Sequence, residues 1–186
     1  MSYHEGARAL QDRFGTRALA DRLHERLGHS VFTAEDRRFI ETASMFFLAT
    51  ADAQGQPDCS YKGGVPGFVR VAGPSELVFQ SYDGNGMFRS LGNVGVNAKV
   101  GLLFLDFEQP RRLRINGTAE LDIEQMIVRV HAGRIFPNCP RYIHRMQLVE
   151  LSAYAPKPGH VPPVPAWKRF PQFREVLPPG DPALDD

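Results

Sequence analysis

A chain of 186 residues, 42% hydrophobic and 23% charged, has the make-up of a globular domain with a full core. The formal net charge of +1 excludes the broad basic field that supports non-specific nucleic-acid binding, and no stretch is long and apolar enough for a transmembrane helix. Two cysteines, Cys59 and Cys139, make no disulfide framework, and the charged opening MSYHEGARALQDRFG is unlike a signal peptide, so a reducing cytoplasmic location is expected.

Residues 1–44 read as a helical arm. Ala9, Leu10, Phe14, Leu19 and Leu23 recur at roughly helical spacing until Gly28-His29 ends the pattern. Thr33 predicts the N-cap of a second helix over residues 34–43, with Glu35 and Asp36 where the helix dipole favours acids. Balanced charge favours an arm that covers the body or a second subunit over one that binds nucleic acid. From Met45 the period becomes that of strands. Residues 45–50 predict a strand and turn, and residues 58–62 complete the hairpin. Residues 68–71 and 77–80 predict another pair around Gly73-Pro74. A short helix is expected over residues 85–96, then a buried strand over 100–107. Leu113, Ile115, Gly117, Ala119 and Leu121 alternate with Arg114, Asn116, Thr118 and Glu120, which predicts a half-buried strand.

Residues 122–133 read as a helix, FPNCPRY as a stiff loop before the next strand, and residues 142–151 as that last strand. From Ala155 closely spaced prolines argue against a compact sheet or helix. Trp167, Phe170 and Phe173 predict that part of this tail docks on a surface near the ligand, while the end from about Leu177 reads as free. The whole predicts a mainly β protein, a small β-barrel with flanking helices.

The chemistry concentrates between Met45 and Glu120. Strand alternation puts Ser60 and Lys62 on one face, a hydroxyl beside a fixed positive charge, either a solvated strand end or a partner for phosphate. Gly63 and Gly64 would let a ligand approach the backbone. Gly84, Asn85 and Gly86 lead into the helix carrying Arg89 and Asn93, and free amides at a helix start bind anions. Arg112 and Arg114 share a strand face and reach a phosphate in the same chain or across a dimer interface, or form a solvated edge. Cys139 has only Arg141 beside it to lower its pKa. His131, Cys139 and His144 lack zinc-site spacing, so no metal is expected. No Walker loop, Rossmann fingerprint or G-x-S-x-G elbow is present.

With those residues in view, the chain resembles the pyridoxamine 5'-phosphate oxidase-like, FMN-binding split-barrel family over about residues 32–151. The marks are FFLATADAQGQPDCSYKGG, PGFVRV, the L-x-F-x-S-Y-D-G-N-G segment, NAKVGLLFLDF and RLRINGTAEL, with FPNCPRY like the loop of one subgroup. The resemblance implies a homodimer of six-stranded split barrels binding two FMN molecules at the interface. The barrel would span residues 45–154, between the arm and a proline-rich tail of residues 155–186. It implies that Ser60, Tyr61 and Lys62 face the flavin or its phosphate. Tyr82, Asn85, Gly86, Met87, Arg89 and Asn93 would form the phosphate side, with an arginine of the Arg112/Arg114 strand nearby. Many members carry an arginine pair at or just after the Asn85 position, where this chain has Gly86 and Met87. The Arg/His substrate-phosphate pattern of true pyridoxamine phosphate oxidases is also missing. The implied activity is FMN-dependent oxidoreduction of a small molecule other than vitamin B6. F420 or haem in the same barrel, or a flavin-binding module without turnover, are the alternatives, with His131, His144 and His160 as the candidate haem ligands.

Overall fold

The computed structural model describes residues 3–82 and 84–185; Met1, Ser2, Asp83 and Asp186 lie outside the described residues. The helical arm has three helices: α1 (Glu5–Arg13), α2 (Arg17–Leu27) and α3 (Ala34–Thr42). The break between α1 and α2 was not expected; Gly15 takes a left-handed φ of 66° that stops the first helix. Arg17 pairs with Asp12 and Arg8 with Asp21 across that break. Leu10, Phe14, Leu19 and Leu23 are exposed, so the apolar stripe of α1 and α2 is not buried in the chain itself.

Helix α3 begins as Thr33 predicts. Thr33 Oγ1 accepts from the Asp36 amide at 3.1 Å, and Asp36 Oδ2 accepts from the Thr33 amide at 2.9 Å, a capping box closed by Asp. The same carboxylate meets His29 Nε2 at 2.8 Å. Burial pushes the Asp36 carboxyl up, but the Thr33 amide and hydroxyl and His29 outweigh it and hold the carboxyl below its usual range.

The body is one antiparallel sheet of seven strands in the order β2-β1-β5-β6-β7-β4-β3, a split barrel with one strand more than expected. These are β1 (Met45–Ala51), β2 (Pro57–Gly63), β3 (Val69–Gly73), β4 (Glu76–Gln80), β5 (Lys99–Asp106), β6 (Arg111–Asp122) and β7 (Ile127–Pro137). Side-chain alternation separates an inner from an outer face. Phe46, Leu48, Phe104, Ile115, Leu77 and Val130 fill the inner one, with Phe46 stacked on Phe104 and edge-on to Phe79, each at 5.0 Å. Helix α4 (Arg89–Val96) packs across β1, β2 and β6 through Leu91 and Val94.

Several expectations are corrected. Residues 122–133 are not a helix but the end of β6, a turn and the first half of β7. Val128, Val130 and Ala132 are buried in alternation, and pairing on both sides with β4 and β6 outweighs the helix-forming Glu124-Gln125-Met126. Phe136 and Pro137 of FPNCPRY therefore end that strand, and only the rest of the segment is loop. Residues 142–151 make no ladder; the Met146 amide donates to Phe107 O at 2.9 Å and the Leu148 amide to Glu108 Oε1 at 3.2 Å. The tail beyond Leu177 is docked rather than free: Asp181 and Ala183 are buried, and Lys168 Nζ meets Asp181 Oδ2 at 2.8 Å.

Candidate functional site

Strand β2 lies at the edge of the sheet and presents Asp58, Ser60 and Lys62 inward, opposite Thr50, Leu48 and Phe46 of β1. Cys59 and Tyr61 point the other way, and Tyr61 sits edge-on to Phe47 at 6.0 Å. Ser60 Oγ shares a 2.9 Å hydrogen bond with Ser90 Oγ of α4, and Ser90 Oγ donates to Asp58 Oδ2 at 3.4 Å. This hydroxyl pair ties the edge strand to the helix. Among the described residues Lys62 has no hydrogen-bond or ion-pair partner. Half-burial pushes its pKa down, and the Asp58 carboxylate pulls it partly back up.

After Lys62 the chain passes close under two rings. A Cβ on Gly63 would lie 2.6 Å from the Tyr61 ring, and one on Gly64 would lie 2.5 Å from Phe68. The glycine pair is what lets these rings fold over the backbone. Phe68 faces Tyr82 at 6.5 Å, and burial raises the Tyr82 phenol pKa.

The segment before α4 departs from the expected helix start. Asn85 Oδ1 accepts from the Met87 amide at 3.1 Å, closing a turn upstream of the helix. Gly86 has φ 74° and Phe88 has φ 48°, and Phe88 is the N-cap. A left-handed Phe is strained by about 1–2 kcal/mol. It also has no side-chain oxygen to cap the helix, so among the described residues the first amides of α4 have no side-chain cap. Arg89 is thus the first residue of the helix, not one turn in, and its exposed guanidinium has no partner among the described residues.

These pieces border one groove. Two cavities of about 320 Å³ each have Tyr61, Lys62, Ser81, Tyr82 and Gly84 as common lining. One extends to Ser60 and the Asn85-to-Arg89 turn, the other to residues 148–155. Of the expected site residues, Ser60, Tyr61, Lys62, Tyr82, Asn85, Gly86, Met87 and Arg89 therefore come together. Asn93 does not line the groove; its Nδ2 donates to the buried Thr50 Oγ1 at 3.0 Å and seats α4 on β1.

Arg112 and Arg114 lie away from the groove, on the outer face of β6. Register places Tyr61, Phe47, Leu103, Arg114 and Phe136 in one row across five strands of that face. The Arg114 guanidinium lies 5.9 Å from the Phe136 ring, and the buried Arg112 Nε makes no hydrogen bond among the described residues. Sequence reasoning missed Asp58 and Ser90. Asp58 shares the phase of Ser60 and Lys62, so the period-two rule alone reaches it; Ser90 carries no such signal.

A flavin mononucleotide asks for cationic or amide donors at a phosphate, an aromatic or apolar wall for a planar ring, and backbone access. Lys62, Arg89, the uncapped α4 amides and the Phe68 and Tyr82 rings are of the kind required for the first two, whereas the space at Gly63 and Gly64, expected to admit a ligand, is taken by the chain's own Tyr61 and Phe68 rings.

A comparison with curated proteins finds no match. Among solved structures, HupZ of Group A Streptococcus is similar at 25% identity and TM-score 0.45, covering 57% of this chain and 93% of that one. An FMN-binding protein of Syntrophomonas wolfei is 11% identical with TM-score 0.44, over 70% and 97%. The haem storage protein HutZ of Vibrio cholerae is 17% identical with TM-score 0.42, over 55% and 92%. With all three TM-scores below 0.5, the family assignment rests on sequence. The family model described as pyridoxamine 5'-phosphate oxidase matches residues 32–152, most of the chain and all seven strands. The chain belongs to the pyridoxamine 5'-phosphate oxidase family.

Proposed function

We propose that this protein is an FMN-dependent oxidoreductase acting on a small molecule. The observation that carries the reading is the pairing, in one groove, of an unpartnered half-buried Lys62 with an uncapped helix start beside Arg89. Both attract an anion, and neither has a hydrogen-bond or ion-pair partner among the described residues, Asp58 acting on Lys62 only through its field. FMN would supply the hydride or electron transfer when bound.

The chain's own residues then have distinct tasks. The α4 amides and Arg89 hold the phosphate. Lys62 offers a fixed positive charge further along the groove, where negative charge on a ring edge is stabilised. Phe68 and Tyr82 give the planar ring an aromatic wall and exclude water from that side. Ser60, bonded to Ser90, positions β2 against α4 and keeps these two halves in register. No covalent catalyst is required.

The second copy enters through the outer face. Phe47 and Leu103 are only half-buried there, Tyr61 is 61% exposed, and Arg112 and Arg114 stand among them. An apolar patch carrying paired arginines suits self-association. Homodimerisation across it would bring an arginine of one copy towards the groove of the other.

The test is direct. The purified protein should carry flavin absorbance, or take up added FMN with a rise in melting temperature. A protein that is colourless and unmoved by FMN refutes the reading. Titrations with F420 and haem run beside it separate the cofactors. For haem, none of His131, His144 and His160 lines the groove.

A further inference from the structure

We propose that the cavity walled by the proline-rich tail is a substrate chamber, and that its ligand is a neutral, largely apolar aromatic molecule. The assignment as substrate rests on the flavin reading above; the ligand class rests on the chamber alone.

Three observations support it. The first is position. Tyr82 and Gly84 line both the groove and this cavity, and Tyr154 lines both the cavity and the tail end of the groove. A molecule held here lies next to whatever the groove binds.

The second is size and wall. The cavity holds about 690 Å³, within the roughly 300–1,000 Å³ of small-molecule sites. Val161, Pro162, Pro163, Val164 and Pro165 make one side. Proline has no N–H to offer and a fixed φ, so this side is stiff and poor in donors. Trp167 adds an aromatic face and is braced edge-on by Phe173 at 5.7 Å.

The third is charge. Among the described residues the only charged side chains in the lining are Lys168 and Asp181. They are nearly buried and bonded to each other at 2.8 Å. Asp181 Oδ1 also accepts from the Ala183 amide at 3.0 Å. Lys168 and that amide keep the Asp181 carboxyl ionised by lowering its pKa. The pair cancels within the wall, so the described lining offers no net charge with which to meet an ionic ligand. An ion placed there would lose its water without a counter-charge in return. Tyr82 and Tyr154 are the lining residues with hydroxyls, enough to orient a ligand with one or two polar atoms.

Trp167 is the sole tryptophan, so its emission reports this chamber alone. The full chain, before FMN is added, is titrated with N-phenyl-1-naphthylamine and separately with 8-anilinonaphthalene-1-sulfonate, the same rings bearing a sulfonate. The neutral dye should bind about tenfold or more tightly than the sulfonate and quench Trp167 by energy transfer. V161E changes a residue that is 89% exposed, so the fold should stand, checked by melting temperature. It should weaken the neutral dye about tenfold and leave FMN affinity unchanged. Equal or tighter binding of the sulfonate, bound dye without Trp167 transfer, or an unaffected V161E variant overturns the proposal. The contrast between dyes on the natural chain decides even if V161E misfolds. FMN binding with no neutral-dye binding removes the chamber and leaves the flavin reading standing. Neutral-dye binding with no FMN binding keeps the ligand class, refutes the flavin reading, and removes the role as substrate.

Discussion

Replacing Lys62 with methionine separates two effects of one charge. With FMN bound, the ammonium would donate to an oxygen at the ring edge in a half-enclosed groove. A charge-assisted hydrogen bond of that kind contributes about 1.5–3 kcal/mol, which is about 10- to 150-fold in dissociation constant. Without FMN the sign reverses. Burial lowers the Lys62 pKa and Asp58 only partly restores it, so the folded state holds this proton less tightly than the unfolded state. The unfolded chain binds more protons between the two values, and stability therefore rises as pH climbs through the folded pKa towards the ordinary lysine range. K62M should be at least as stable as the natural protein at neutral pH, lack this alkaline gain, and bind FMN about 10- to 150-fold more weakly. Urea unfolding at neutral and alkaline pH, with calorimetric FMN titration, measures all three. Unchanged FMN affinity would refute the role. So would a loss of stability large enough to explain the lost binding by unfolding.

Other predictions address the frame around the groove. D36N removes the carboxylate shared by Thr33 and His29 and should cost about 1–2 kcal/mol at neutral pH. Because the folded Asp36 pKa is lowered, that stability is present above the unfolded pKa and lost as pH falls through the folded one. The gap between D36N and the natural protein in urea should therefore close on acidification, and a widening gap contradicts the assignment. G117A would put a Cβ 2.0 Å from His131 O at the β6–β7 register shift, and should destabilise by at least about 2 kcal/mol in thermal unfolding. A neutral result would mean that the bulge relaxes freely. L103E introduces a charge in the middle of the outer-face row and should leave a folded monomer in sedimentation at concentrations where the natural chain is dimeric. A natural chain that is itself monomeric, or an L103E dimer, removes the proposed interface.

The fold was legible wherever neighbouring residues carry the information. Met45–Ala51, the β3–β4 pair and the alternating β6 follow from period-two patterning and turn residues within a few positions. The common face of Ser60 and Lys62 follows from the same rule. What was not legible depends on distant partners. Ile127–Pro137 becomes a strand because β4 and β6 offer edges on both sides, and nothing local to residues 122–126 announces the turn in which Met126 takes a φ of 53°. Residues 142–151 have strand-like composition but no ladder to join. The distance of Arg112 and Arg114 from the groove follows from sheet order, with two strands, β1 and β5, between β6 and β2. The start of α4 at Arg89 depends on Phe88 adopting a conformation that its residue type disfavours. The docked tail depends on Lys168 meeting Asp181.

The central claim is that this groove recognises FMN through its phosphate, and an equilibrium titration of FMN against riboflavin tests it most directly. The two ligands share the ring and differ by the phosphate that Arg89 and the α4 amides are proposed to hold. The account predicts saturable FMN binding, with riboflavin weaker by about tenfold or more, the worth of at least one charge-assisted hydrogen bond. Riboflavin binding as tightly as FMN, or no binding of either, would contradict it.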